Sequence, residues 1–348
     1  MKIHKHFFIF SLTVLLFLSA FQVGKVSTNR ENAATTVYPL TLTDGYGRNV
    51  TFDSEPVRVI SIAPSATEVI FAVGAGDKVV AVDAYSNYPA ENITEINRTI
   101  STYPTLDMED VISLSPDVVF AAGIISQDDI TSLGDQGVTV FVLAPFNLED
   151  IMTDIDSVGK ITNHVDEATT LINSLQARIN TVKEYVAANF TAKPKVYVET
   201  SDYGGYWTYG NGTYGHDIIE LAGGINIAEN ATGLYPMVDS EFIITQNPDI
   251  IFYTEGSWTT TNITTISNRT GWNVINAVKN AHVYPINEDW ISRGGPRIVD
   301  ALEEINGKLR MVKVGASPFS IAGFEWLWIP VMSPVAAITI WKRRKLNV

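Results

Sequence analysis

One short pattern occurs twice in the chain, and it constrains the fold more than any other feature. Asp107-Met108-Glu109, six residues and Pro116-Asp117-Val118-Val119-Phe120 form one block. Asp239-Ser240-Glu241, six residues and Pro248-Asp249-Ile250-Ile251-Phe252 form the other, at a constant offset of 132 residues. Each block reads as a short helix, a turn at Ser/Asn-Pro-Asp and a strand. A strand that is apolar at every position is buried on both faces, as in a parallel sheet covered by helices. A second copy of such a unit predicts two lobes of like architecture. The chain, at 348 residues, is long enough for both.

The surrounding pattern agrees with an α/β class. Strands are predicted at Val57–Ile62, Val79–Val82, Val138–Leu143, Lys195–Val198, Ile250–Tyr253 and Val283–Tyr284. Helices are predicted at Ser65–Val73, His216–Ala222, Ser240–Gln246 and Pro296–Met311. This alternation implies parallel sheets with crossover helices. Between the lobes, Ala168, Leu171, Leu175, Ile179, Val182 and Val186 recur at spacings of three and four, one apolar face of a helix from about Asp166 to Ala188. A stiff connection of that kind predicts only a small hinge closure. The expected organisation is a signal peptide (1–26), a linker (27–39), an N-terminal lobe (40–164), a linking helix (165–190) and a C-terminal lobe (191–312). A linker (313–320), a transmembrane anchor (321–341) and a cytoplasmic tail (342–348) follow.

Charge separates the ends from the body. Residues 31–320 hold 16 Lys and Arg against 37 Asp and Glu, a charge of −21, which excludes a nucleic-acid partner. Lys2 and Lys5 precede the apolar run Phe7–Phe21, the form of a secretory signal. Ile321 to Trp341 is apolar except for Glu325, long enough to cross a bilayer, and ends on Lys342-Arg343-Arg344-Lys345. The body is therefore expected on the extracellular face, anchored at its C-terminus. Asn49, Asn92, Asn97, Asn189, Asn211, Asn230, Asn262 and Asn268 each begin an Asn-x-Thr triplet, the acceptor pattern of an extracellular glycoprotein.

Signs of an enzyme are missing. No Cys is present, which removes disulfides, thiolate metal sites and a lipid-modified N-terminal Cys. Gly74-Ala75-Gly76 follows a predicted helix and reads as its C-terminal cap rather than a dinucleotide loop. His164, His216 and His282 are not paired at metal-ligand spacing, and no metal or cofactor is expected. Asp128-Asp129 and Glu303-Glu304 read as solvated helix faces.

Longer stretches carry a resemblance. Arg58-Val-Ile-Ser-Ile-Ala-Pro-Ser-Ala-Thr-Glu68, Asp83-Ala-Tyr85-Ser-Asn-Tyr88-Pro89 and Ser101-Thr-Tyr103 resemble the cobalamin and ferric-siderophore binding proteins of ABC importers. So do both repeat blocks, Asp217-Ile-Ile-Glu-Leu-Ala-Gly-Gly-Ile-Asn226 and Glu288-Asp-Trp290-Ile-Ser-Arg293-Gly-Gly-Pro296-Arg297. The likeness covers about residues 40–312 and is nearest to the cobalamin branch. It implies two Rossmann-like lobes joined by one long helix, no catalysis, and capture of cobalamin or a related corrinoid for a permease and its ATPase. A ferric siderophore or haem is the alternative ligand, and a structural or adhesive surface glycoprotein the alternative of another class. A monomeric body is expected.

The resemblance also implies a site. Ser65, Tyr85 and Tyr103 would line the cleft from the first lobe; Trp207, Tyr235 and Trp290 from the second, with Arg293 as polar neighbour. Ordinary core or loop positions are the bland reading of these aromatics. A further cleft Trp of the family falls near Ala122-Gly123, where this chain has only small residues. Glu109 and Glu241, one per repeat, match the positions that dock on the permease. Ala322-Gly323-Phe324-Glu325 resembles the archaeal Pro-Gly-Phe sorting signal, with Ala in place of Pro.

Overall fold

The computed structural model describes residues 34–255 and 261–312. A hairpin of β1 (Leu40–Thr43) and β2 (Asn49–Phe52) leads into the first lobe. Its strands β3 (Val59–Ser61), β4 (Val79–Asp83), β5 (Thr99–Ile100), β6 (Val118–Ala122) and β7 (Val140–Leu143) form one parallel sheet, ordered β5-β4-β3-β6-β7. The connecting helices are α1 (Pro64–Ala72), α2 (Ala90–Ile93), α3 (Met108–Ser113), α4 (Gln127–Asp135) and α5 (Leu148–Ile161). The hairpin covers an edge of this sheet, since the Gly45 amide donates to the Val142 carbonyl at 2.7 Å.

Helix α6 (Val165–Asn189) then crosses to the second lobe, extending about 37 Å at 1.5 Å per residue. Ala168, Leu175, Ile179 and Val182 are its buried residues, on the face that the spacing predicts. It is fastened to an element of each lobe. Its amino half packs on α5, and Arg178 further along pairs with Asp300 at 2.6 Å and Glu303 at 2.7 Å.

The second lobe contains β8 (Lys195–Glu199), β9 (Tyr206–Trp207), α7 (Tyr214–Leu221), β10 (Ile225–Asn226), β11 (Met237–Val238), α8 (Ser240–Gln246) and β12 (Ile250–Glu255). After α9 (Ile263–Ser267) and α10 (Asn276–Lys279) come β13 (Val283–Asn287), α11 (Glu288–Ser292) and α12 (Ile298–Leu309). Four of the strands form a parallel sheet ordered β10-β8-β12-β13, and β9 pairs with β11 in a separate antiparallel ladder.

The repeated block does the same structural work in each lobe. In the first, the Asp117 amide donates to the Arg58 carbonyl at 2.9 Å, while its carboxylate accepts from the Arg58 amide at 2.8 Å. In the second, Asp249 makes the same pair of bonds with Lys195, at 2.9 and 3.0 Å. The basic side chains complete the likeness. Arg58 donates to the Leu114 carbonyl and Lys195 to that of Gln246, each at the end of the repeat's helix. The Pro-Asp thus ties the amino end of its own strand to the first strand of its lobe, and a cation covers the helix's free carbonyls.

Gly74 adopts φ +86 directly after α1, and the Ala75 amide reaches back to the Ile70 carbonyl at 3.0 Å, a helix cap as predicted. Part of the stretch read as a linker is fixed: the Thr36 amide bonds Asn163 at 2.8 Å and the Tyr38 hydroxyl the Ile161 carbonyl at 2.9 Å. The predicted signal peptide, the C-terminal linker, the membrane anchor and the tail lie outside the described residues. Among the described residues no helix is long and apolar enough to cross a membrane.

Candidate ligand cleft

Each sheet order reverses direction once, between β3 and β6 in the first lobe and between β8 and β12 in the second. At such a point the loops leaving neighbouring strands turn to opposite faces, opening a crevice outside the carboxyl ends. Those loops do line one cavity of about 600 Å³ between the lobes. The first lobe contributes Pro64-Ser65, Ala122-Gly123-Ile124 and Pro145-Phe146; the second contributes Thr200, Tyr209, Tyr214, Tyr235 and Ser292-Arg293-Gly294. A smaller cavity of about 480 Å³, lined by Tyr85, Asn87, Glu255, Glu288 and Asp289, shares Pro64, Ser292 and Arg293 with it. The two cavities adjoin at these residues and together make up the cleft.

The second-lobe wall is a stack of phenols. Tyr209 lies 5.9 Å from Tyr235 and 6.2 Å from Tyr214, ring centre to ring centre, in edge-to-face and tilted arrangements. The Tyr209 hydroxyl donates to the Ile291 carbonyl and that of Tyr214 to the Ser292 carbonyl, both at 2.8 Å. These bonds fix the loop that carries Arg293. Burial pushes both phenols well above the ordinary tyrosine range, so they stay neutral donors.

Glu68, on α1 and only 2% exposed, joins the lobes. It accepts from Arg293 at 2.8 Å and from Arg297 at 2.9 and 2.5 Å. Arg293 also meets Asp289 at 2.8 Å and Asn87 at 2.8 Å, and Arg297 lies 4.1 Å over the Tyr88 ring. Arg293, which lines both cavities, and its neighbour Arg297 are thereby matched by carboxylates. Between them, Gly294 is needed because a Cβ there would lie 2.5 Å from Pro145 of the first lobe. Nearby, buried Asp83 accepts from the Tyr85 amide at 2.9 Å and from the Ser86 hydroxyl, shaping the turn that presents Tyr85. Burial raises the Asp83 carboxyl, partly offset by those bonds. Burial, with Asp289 beside it, likewise raises Glu288.

Of the residues expected at the site, Ser65, Tyr235 and Arg293 line the larger cavity, and Tyr85 with Arg293 the smaller. Ala122-Gly123 lies in the wall of the larger cavity. Tyr103, 73% exposed in the loop after β5, lines neither. Trp207 is half-buried in the β9–β11 ladder and donates to the Tyr203 carbonyl at 2.9 Å, also outside both cavities. Its neighbour Tyr206 rests on Arg269, which forms a bidentate pair with buried Glu199 at 2.5 and 2.7 Å. Trp290 packs partly against the main hydrophobic core and lines neither cavity. Tyr209, Tyr214, Phe146 and Glu68 were not singled out by sequence. The Gly-flanked run Tyr206-Trp207-Thr208-Tyr209-Gly210 was the available signal for Tyr209; nothing local marks Phe146.

Glu109 and Glu241 occupy equivalent, exposed positions in the first turns of α3 and α8. Each follows a capping aspartate: Asp107 accepts from the Asp110 amide at 3.0 Å and Asp239 from the Phe242 amide at 2.8 Å.

Comparison with known proteins settles the family. The periplasmic binding protein family model matches residues 59–289. The chain belongs to the periplasmic binding protein family. An uncharacterized ABC transporter substrate-binding lipoprotein of Bacillus subtilis, YvrC, is 31% identical over 276 residues, 78% of this chain and 85% of that protein. A vitamin B12-binding protein of Vibrio parahaemolyticus is 30% identical over 275 residues, 76% of this chain and 94% of that one. The crystal structure of a possible iron-binding (periplasmic solute-binding) protein of Staphylococcus epidermidis superposes with a TM-score of 0.65 at 27% identity, covering 73% of this chain and 99% of that one.

Proposed function

We propose that this periplasmic binding protein is the substrate-binding component of an ABC importer and that its cleft takes cobalamin or a related corrinoid. One observation carries the choice of ligand. The cleft has apolar and phenolic walls, and its arginine, Arg293, is paired with Glu68 and Asp289, as is neighbouring Arg297, while Glu255 and Glu288 add further acids. A corrin is a broad, mostly apolar disc with amide arms and needs flat walls with a few polar groups at the rim. A polyanionic iron chelate or a haem with two propionates needs unpaired cations, which these arginines do not provide. The similarity to the vitamin B12-binding protein of Vibrio parahaemolyticus supports the same choice. The ferric-siderophore or haem reading keeps support from the Staphylococcus epidermidis structure.

In this reading Ser65, Tyr85, Tyr235 and Arg293 contact the ligand, Tyr103 and Trp207 stand at the rim, and Trp290 acts from beneath by positioning α11. Glu109 and Glu241 dock on the permease, where opposite charges on exposed rims mainly set orientation and on-rate. The body works outside the cell, delivered by the N-terminal signal and held by residues 321–341. Calorimetric titration of the purified body with cyanocobalamin, a ferric hydroxamate and haem tests the assignment. Binding of cyanocobalamin alone is expected; tight binding of the iron ligands with none of cyanocobalamin would transfer the assignment to the alternative.

A further inference from the structure

Among the described residues, the asparagines that begin an acceptor triplet are exposed more uniformly than the rest. All eight that begin an Asn-x-Thr triplet are exposed. Of the twelve other asparagines among the described residues, six are half-buried or buried, including Asn226 and Asn306 in the core. The third-position threonine divides the eight further. Thr213 is fully buried, donates to the Gly210 carbonyl at 2.8 Å and caps α7, which sets Asn211 aside. In the other seven the threonine is exposed along with the asparagine.

Position relative to the cleft is the second, independent observation. None of the seven lines either cleft cavity, although Asn87 and Asn287, exposed asparagines outside any acceptor triplet, line the smaller one. Asn92 and Asn97 instead line a separate cavity of about 840 Å³ beside Arg58, Phe71 and Arg98. Those neighbours sit at the amino ends of the first-lobe strands, the edge away from the ligand cleft. A bulky polar modification at these seven positions would leave ligand entry clear.

We infer that Asn49, Asn92, Asn97, Asn189, Asn230, Asn262 and Asn268 carry N-linked glycans. The inference rests on the proposed extracellular location but not on the choice of ligand. The donor required is an oligosaccharide held on a lipid phosphate. The side-chain amide nitrogen forms a bond to the anomeric carbon, the carbon–oxygen bond to the carrier breaks, the lipid phosphate leaves with the electron pair, and the amide proton passes to a base. The product is a solubilising surface coat that adds to the charge repulsion of an acidic body.

The test is glycopeptide mass spectrometry on the full chain isolated from the membranes of cells that make it. Sugar mass is expected on at least half of the seven asparagines and on none of the twelve that lack the triplet. Unmodified mass on more than half of the seven overturns the inference, as does sugar confined to Ser or Thr. Thr99→Ala and Thr270→Ala remove the acceptor triplets of Asn97 and Asn268 without touching either asparagine. Each is expected to lose the mass of one glycan, with cyanocobalamin affinity unchanged. Loss of affinity without loss of mass would show a structural role for these threonines and count against the inference. Failure of the corrinoid titration, by contrast, leaves the glycopeptide result intact.

Discussion

The two lobes share one edge and differ at the other. At the amino ends of their strands, Asp117 and Asp249 make the same two backbone bonds, and Arg58 and Lys195 cover the same helix carbonyls. At the carboxyl ends the larger cavity meets Ser65, Ala122 and Gly123, with Ile124 and Phe146 beside them, from the first lobe and three phenols, Tyr209, Tyr214 and Tyr235, from the second. The repeat therefore preserves what holds each sheet together, and the lobes diverge where the ligand would touch them. Glu68 bridges the contrast, a first-lobe carboxylate paired with two second-lobe arginines.

Removing that bridge should have the largest effect. Glu68→Ala leaves Arg293 and Arg297 partly buried with Asp289 as their remaining carboxylate, and should cost about 3 kcal/mol in denaturant unfolding, the lower end for a broken buried pair. Stability unchanged within error would mean that the lobes are held by α6 and apolar contact alone. A second effect acts on the first lobe only. Burial, with Asp150 and Asp44 nearby, pushes the Asp154 carboxyl up to about 8, and one of its oxygens has no partner. The folded state keeps this proton to about pH 8, while the unfolded chain releases it near the ordinary 3.8. Stability should thus fall as pH rises from about 4 to 8 and then level off. Asp154→Asn should flatten that slope and stabilise by up to about 4 kcal/mol at pH 7. An unaltered slope would remove Asp154 as its source.

Smaller effects sharpen the symmetry. Asp117→Ala and Asp249→Ala should each cost about 1–2 kcal/mol and add in the double variant, since they act on different sheets. A large cost in one lobe and none in the other would show that the repeat is kept in sequence but not in energetics. Glu109→Ala with Glu241→Ala should leave both stability and corrinoid affinity unchanged while reducing uptake by cells. Normal uptake would place docking elsewhere.

How much of this was readable beforehand follows the same division. The helix–turn–strand blocks, the long α6 and its buried face, and the Gly74 cap were legible because each depends on local periodicity or turn chemistry. The short strands β5, β9, β10 and β11 were not, since two residues form no period. The cleft was legible only where family likeness marked a position, as at Ser65, Tyr85, Tyr235 and Arg293. Tyr214 and Phe146 reach the cavity through the mutual placement of loops from separate strands, which no local pattern records. Trp290, expected in the wall, is drawn partly onto the core by the apolar area it buries. The role of Glu68 emerges only from pairing across more than two hundred residues of chain.

In the proposed function, ligand binds between the lobes at the carboxyl edges of both sheets. Hydrogen exchange of the purified body, with and without cyanocobalamin, tests it directly. Slowed exchange is predicted in the segments around Ser65, Gly123, Phe146, Tyr214 and Arg293, with none around Arg58 and Arg98 at the opposite edge. Protection at that opposite edge, or in one lobe alone, would contradict the claim.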